Sequence, residues 1–204
     1  MKVRLSKCSI GDEEVEAVSR VLRAEYLGMG AIVLEFENSI QDYLNTSMSV
    51  VCVNTGTSAL QLSVAALDIG HGDEVLVPSL TYVGSFQAIS ATGATPVACE
   101  IDRESFFLDV EDARSKITNK TKAIMPVHYA SSSSGMDAVY SLAQEFNLRV
   151  IEDAAQAFGS RRDNVAIGVD GDIICFSFDG IKNITCGEGG AILTNNLSFD
   201  KKTK

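Results

Sequence analysis

The chain has 204 residues, 46 % of them hydrophobic, enough for one sizeable core. Its 27 acidic residues outnumber 17 Lys and Arg, and the net charge of −10 argues against a nucleic-acid or anionic-membrane partner. No apolar run approaches a membrane span, no signal peptide pattern precedes the first helix, and two histidines with no acid/cysteine cluster make a metal site unexpected. Cys8, Cys52, Cys99, Cys175 and Cys186 show no metal spacing. Three of them sit in apolar strand patterns, which suggests reduced thiols in a cytoplasmic protein.

Residues 3–9 read as a short extended entry. Residues 11–24 form an amphipathic helix with Val15, Val18, Val21 and Leu22 on one face and acids in its first turn. The irregular loop EYLGMG (25–30) follows. A second helix spans 33–44 with Phe36, Ile40, Tyr43 and Leu44 inward. From residue 50 apolar runs at 50–53, 74–78, 96–101, 123–128, 148–152 and 172–178 alternate with helical stretches at 58–67, 82–92, 109–116 and 136–146. Near-continuous apolar strands imply a parallel sheet covered on both faces. The last strand, 191–194, follows through a loop too short for a helical crossover, so it is expected to run antiparallel. No G-x-G-x-x-G follows the first strand, so this is not a dinucleotide-binding unit. Residues 131–134 read as a loop.

Three stretches carry chemistry. SFDGIKNITCGEGG holds one lysine, Lys182, between an apolar run and a glycine-rich turn. An amine at the lip of an apolar sheet loses hydration, which favours its neutral, nucleophilic form and suits it to bond an aldehyde cofactor. VIEDAAQAFGS runs from a strand into Glu152 and Asp153, and a carboxylate at a strand end can keep a pyridoxal ring nitrogen protonated. VNTGTSAL leads from a strand through Gly56, Thr57 and Ser58 into a helix, whose free N–H groups suit a phosphate. His128 ends a strand on the same edge and reads equally as a substrate contact or a core histidine. His71 reads as solvated.

These motifs, with GDEVLVPSLTYVGSFQAI, GATPVACEID and TKAIMPVHY, resemble the DegT/DnrJ/EryC1/StrS family of pyridoxal-phosphate sugar aminotransferases over nearly all of the chain. The resemblance implies an α/β fold: the large domain of a fold type I transferase, with a mostly parallel seven-stranded sheet flanked by helices. Helices at 1–48 would precede a sheet domain at 49–204, and the family's C-terminal small domain would have no counterpart here. The implied cofactor is pyridoxal 5'-phosphate. Lys182 and Asp153 would be catalytic. Gly56, Thr57, Ser58 and Ser177 would hold the phosphate, Tyr82 would stack on the ring, and Gln156 would reach the phenolic oxygen. Glu188 and Gly189 read as structural.

The implied reaction moves an amino group from glutamate to a nucleotide-linked keto sugar, a 4-keto-6-deoxyhexose, in a cytoplasmic homodimer. Its products would feed O-antigen, surface polysaccharide or antibiotic sugars. The loop at 25–30 would lie near the active site and subunit interface. Asp179 and Gly180 depart from the family pattern, which has a histidine or aromatic and a proline there. So does ASSSSG, where glycines and an aspartate are usual. Two other readings stay open: amination of a cyclitol or another carbonyl compound, and a non-catalytic binding or assembly domain. The family's dehydratase branch lacks the lysine, so Lys182 argues against it.

Overall fold

The computed structural model describes residues 7–195. Its helices are α1 (Asp12–Arg23), α2 (Ala31–Leu44), α3 (Gly56–Ala66), α4 (Val83–Ser90), α5 (Val110–Ser115) and α6 (Met136–Phe146). The strands are β1 (Ser49–Val53), β2 (Glu74–Pro78), β3 (Thr95–Cys99), β4 (Thr121–Ile124), β5 (Arg149–Asp153), β6 (Arg161–Arg162), β7 (Val165–Ala166), β8 (Ile173–Ser177) and β9 (Gly190–Thr194). Seven strands form one sheet in the order β1-β9-β8-β5-β4-β2-β3. The pairs from β3 to β8 are parallel, and β9 is antiparallel to both β8 and β1. This is the mostly parallel sheet the apolar runs imply, and the short 178–189 connection reverses the last strand.

Side chains alternate across the sheet with period two. Ile151, Ile173 and Cys175 pack against α3 and α4, with Ala59, Val64 and Ile89. On the other face, Ile174, Phe176 and Leu193 meet Ile40 and Leu44 of α2. Farther along that face, Val150 meets Val139 and Leu142 of α6. The same alternation sends the neighbours Glu152 and Asp153 to opposite faces, and this decides their separate roles.

The structure corrects several sequence expectations. Residues 56–58, expected as a turn before the helix, are already the first turn of α3, because Thr55 caps the helix by accepting from the Ser58 N–H at 3.0 Å. Strand β4 ends at Ile124. Residues 125–128 continue extended beside β5, and a 3-10 turn follows at Tyr129–Ser131. A small hairpin, β6–β7, turns through Asp163 and Asn164, both left-handed, as tight two-residue hairpins require. Helix α1 has no buried residue, so its apolar stripe is uncovered among the described residues. Phe36 and Tyr43 are not inward either. Tyr43 is 63 % exposed and stacks on Phe158 at 5.4 Å, while Phe36 meets the edge of Phe178. Of the entry strand expected at 3–9, residues 3–6 lie outside the described residues.

Candidate active site

The C-terminal ends of β1, β2, β5 and β8 converge on a cavity of about 650 Å³. In a parallel sheet this edge is where strands hand over to helix N-termini, and ligands bind there. Gly56, Thr57, Tyr82, Asp153, Gln156, Ser177 and Lys182 all line it, although they are spread over 127 residues of chain. Ser58 does not line it, and its N–H is already committed to Thr55.

Asp153 is the last residue of β5 and only 5 % exposed. Its backbone is clamped on both sides: its N–H donates to Pro126 O, and its carbonyl accepts from the His128 N–H. One carboxylate oxygen accepts from Ser85 Oγ at 2.7 Å and the other from the Ala155 N–H at 3.2 Å. Burial pushes this carboxyl above the ordinary carboxylate range. The Ser85 and Ala155 hydrogen bonds pull it back, with smaller help from the charges of His128 and Lys182. An ionised Asp153 therefore lacks a full cationic partner and faces the cavity.

The start of α3 forms the opposite wall. The first N–H groups of a helix have no intrahelical partner, and those of Gly56 and Thr57 lie at this wall. Two close approaches fix it in place. A Cβ on Gly56 would lie 2.7 Å from Ser177 Cβ, and one on Gly190 would lie 2.5 Å from Thr55 O. Glycine at both positions lets β8, β9 and the α3 start pack backbone to backbone. Ser177, at the end of β8, thus sits directly beneath the helix start.

Lys182 is half-buried on the loop between β8 and β9. Asp179, one of the departures from the family pattern, builds its turn. The Asp179 carboxylate accepts from the Ile181 N–H at 3.0 Å, and its carbonyl accepts from the Lys182 N–H at 3.0 Å. Asn183 anchors the far side by donating to Phe158 O at 2.7 Å. Lys182 also borders a second cavity of about 540 Å³ beneath the N-terminal entry, where Cys8 Sγ donates to Gly180 O.

Gln156 shows one group to the cavity by elimination. Its Oε1 accepts from the Ala130 N–H at 2.8 Å, which leaves the Nε2 donors free to point elsewhere. Ser131 Oγ donates to the Gln156 carbonyl, so the 130–131 turn grips this residue twice. Ala130 and Ser131 are both left-handed, in a stretch where the family usually has glycines. Tyr82 is 71 % exposed at the cavity mouth, so it is not a core ring.

His128 does not reach the cavity. It is fully buried, with Nδ1 donating to Ser132 O at 3.1 Å and Nε2 hydrogen-bonded to a Glu152 carboxylate oxygen at 2.7 Å. Glu152 also accepts from Tyr140 Oη at 2.7 Å, and Tyr140 Oη accepts from the Asp172 N–H. Burial and the neighbouring Glu152 push the Tyr140 hydroxyl well above its ordinary range, so it stays a neutral donor. His128 is a satisfied core histidine and does not line the cavity.

Among the lining residues that sequence reasoning missed are Thr81, Gly84, Ser85 and Glu188. Glu188, read as structural, lines the cavity. Ser85 carried a usable signal as a hydroxyl at helical spacing from the apolar Ala88 and Ile89. Among the described residues there is no group of three or more His, Cys, Asp or Glu that could hold a metal ion.

A family model for the DegT/DnrJ/EryC1/StrS aminotransferases matches residues 8–204. The chain belongs to this family. It is 44 % identical over 192 residues to GDP-perosamine synthase of Escherichia coli O157:H7, covering 94 % of this chain and 52 % of that protein. The structure of DesV from S. venezuelae superposes with a TM-score of 0.89 at 40 % identity, over 94 % of this chain and 52 % of that one. NtdA from Bacillus subtilis, solved with bound PMP, gives a TM-score of 0.87 at 31 % identity, over 98 % and 48 %. The fold is therefore that of the fold type I transferases, and the chain spans about half the length of these relatives.

The buried hydrogen-bonded pair yields a prediction. Removing one partner leaves the other polar group buried and unsatisfied. His128→Ala should lower the free energy of unfolding by about 1–3 kcal/mol. Tyr82→Ala, at an exposed site, should change it by only about 0.5 kcal/mol. Urea unfolding followed by circular dichroism measures both. Equal, small losses would show that the His128–Glu152 hydrogen bond does not stabilise the fold.

Proposed function

We propose that this chain binds pyridoxal 5'-phosphate and that the whole protein moves an amino group from glutamate to a nucleotide-linked keto sugar. The observation that carries this reading is the meeting of Asp153, Lys182 and the first turn of α3 around one cavity. The set fits the cofactor in charge as well as shape. It offers N–H donors and a hydroxyl for a dianion, a buried carboxylate for a ring cation, an amine for an aldehyde and an exposed ring for stacking. The E. coli relative is named for GDP-perosamine synthesis, which supports a 4-keto-6-deoxyhexose as acceptor. Products of this kind supply O-antigen, surface polysaccharide or antibiotic sugars.

When bound, pyridoxal phosphate supplies an aldehyde for the donor's amino group and a cationic ring that takes up the electron pair left by a departing proton. The chain's own residues do the rest. Gly56 and Thr57 N–H groups, with the Ser177 hydroxyl, would hold the phosphate. Asp153 would keep the ring nitrogen protonated, Gln156 Nε2 would be the donor for the phenolic oxygen, and Tyr82 would offer a stacking face. Lys182 would supply the amine that engages the aldehyde and, when free, a base able to move a proton at the donor's α-carbon. The Asp179 carbonyl and the Asn183–Phe158 hydrogen bond fix the loop on both sides of Lys182.

We further infer a homodimer. Val15, Val18 and Leu22 of α1, and Tyr26, Leu27 and Met29 of the 25–30 loop, are all more than half exposed. Apolar surface costs roughly 25 cal/mol per Å² in water, and a contiguous patch of this kind marks an interface. The proposed occupant is a second copy, with the loop near the partner's Lys182. Residues 1–48 would then form the interface-building helices and 49–204 the sheet domain. The five free cysteines support a cytoplasmic location. Among the described residues no helix is long and apolar enough to cross a membrane.

Two measurements check these readings. Purified protein incubated with glutamate and a panel of keto compounds should release 2-oxoglutarate with a nucleotide-linked 4-keto-6-deoxyhexose, and Lys182→Ala should abolish release. Release with a cyclitol ketone alone would move the substrate to that class. No release with any acceptor would leave a binding domain. Sedimentation should show a dimer, and a monomer that turns over at full rate across dilution would refute the assembly.

A further inference from the structure

We propose that Ser85, backed by Thr81, is a positioning residue for Asp153, fixing which carboxylate oxygen faces the cofactor. The inference rests on the reading of Asp153 as partner to the cofactor's ring nitrogen. Ser85 is 0 % exposed in the first turn of α4. Its Oγ lies 2.7 Å from one Asp153 oxygen and 2.6 Å from Thr81 Oγ1. An ionised carboxylate only accepts, so Ser85 donates to it and accepts from the Thr81 hydroxyl. The chain runs one way, from Thr81 to Ser85 to Asp153, and each link polarises the next.

A serine in a helix has a cheaper way to satisfy its hydroxyl. Ser63 in α3, equally buried, bonds back to the Ala59 carbonyl of its own helix at 2.8 Å. Ser85 reaches across to another element instead. The carboxylate torsion of an aspartate is broad and weakly preferred. The remaining constraint, the Ala155 N–H at 3.2 Å, is long, so Ser85 supplies most of the orientation. Its helix cannot slide to relieve the contact. A Cβ on the preceding residue, Gly84, would press on both Thr57 Oγ1 and the Tyr82 ring at 2.9 Å, so α4 is seated closely against the α3 start.

The groups facing Asp153 are Ser85 from α4, Ala155 from its own segment, His128, Lys182 and the Cys175 thiol on β8. Of these, Ser85 contributes the largest pull toward the charged form. Removing it favours the neutral carboxyl, so the acid side of cofactor binding moves to higher pH.

The test is an absorbance titration of the protein with pyridoxal phosphate across pH, with folding checked by circular dichroism. Ser85→Ala should weaken affinity by about 10- to 100-fold, the range expected for a hydrogen bond to a charged group. It should also move the acid limb of binding upward. Thr81→Val keeps the shape and removes only the second link, so it should shift both in the same direction by less. It also decides the question if Ser85→Ala does not fold. Ser85→Thr retains the hydroxyl and should restore the wild-type profile. Wild-type affinity and pH profile in both Ser85→Ala and Thr81→Val would overturn the proposal. So would a loss in Ser85→Ala that is uniform across pH with Thr81→Val unaffected, which would mark packing alone. A wild type that takes up no pyridoxal phosphate would overturn the cofactor reading itself, and this proposal with it.

Discussion

A carboxylate taken out of water at the end of a central strand governs the polar structure of this molecule. Asp153 sits between β4 and β8, where no solvent shell can form. An isolated buried charge is unfavourable unless it is hydrogen-bonded and paired. The protein supplies the hydrogen bonds from Ser85 and Ala155 and leaves the pairing incomplete, on the side facing the cavity. A ring cation placed there would complete it. Site and stability are thus linked: burial disfavours the Asp153 charge, and a bound ring cation would favour it.

The sheet makes this possible through its two-residue period. Glu152 and Asp153 are adjacent acids sent to opposite faces. Glu152 finds His128 and Tyr140 within its own face and is satisfied there. Asp153 finds only hydroxyl and amide donors. The reversal of β9 supplies the second requirement. Inserted between β8 and β1, it brings Gly190 against Thr55 and so seats the α3 start above Ser177. The loop that permits the reversal carries Lys182. The α3 start and the amine are therefore placed by one piece of chain.

Much of this was legible in the sequence because it depends on local pattern. Continuous apolar runs gave the strands, and the absence of a helix before residue 190 gave the reversal. Lys182 stood out as the one lysine between an apolar run and a glycine-rich turn, and Asp153 as half of an acidic pair closing an apolar strand. What escaped depends on distant partners or on capping. Thr55 turns the following small residues from loop into helix, a Thr-x-x-Ser cap hidden in a stretch read as irregular. His128 could not be assigned until Glu152 was seen beside it across β5. Ser85 gains its role only from the Asp153 carboxylate, 68 residues away. The β6–β7 hairpin is too short to carry a periodic signal. The stripe on α1 was read as apolar, but periodicity cannot say whether the same chain or another covers it.

The central claim is that Lys182 is the amine that engages an aldehyde cofactor beside Asp153. The most direct measurement is to load the protein with pyridoxal phosphate, reduce it with borohydride, digest it and locate the modified peptide by mass spectrometry. The account predicts one stoichiometric adduct, on Lys182, that is absent from Lys182→Ala. An adduct spread over surface lysines, or placed on Lys7 across the neighbouring cavity, would contradict it.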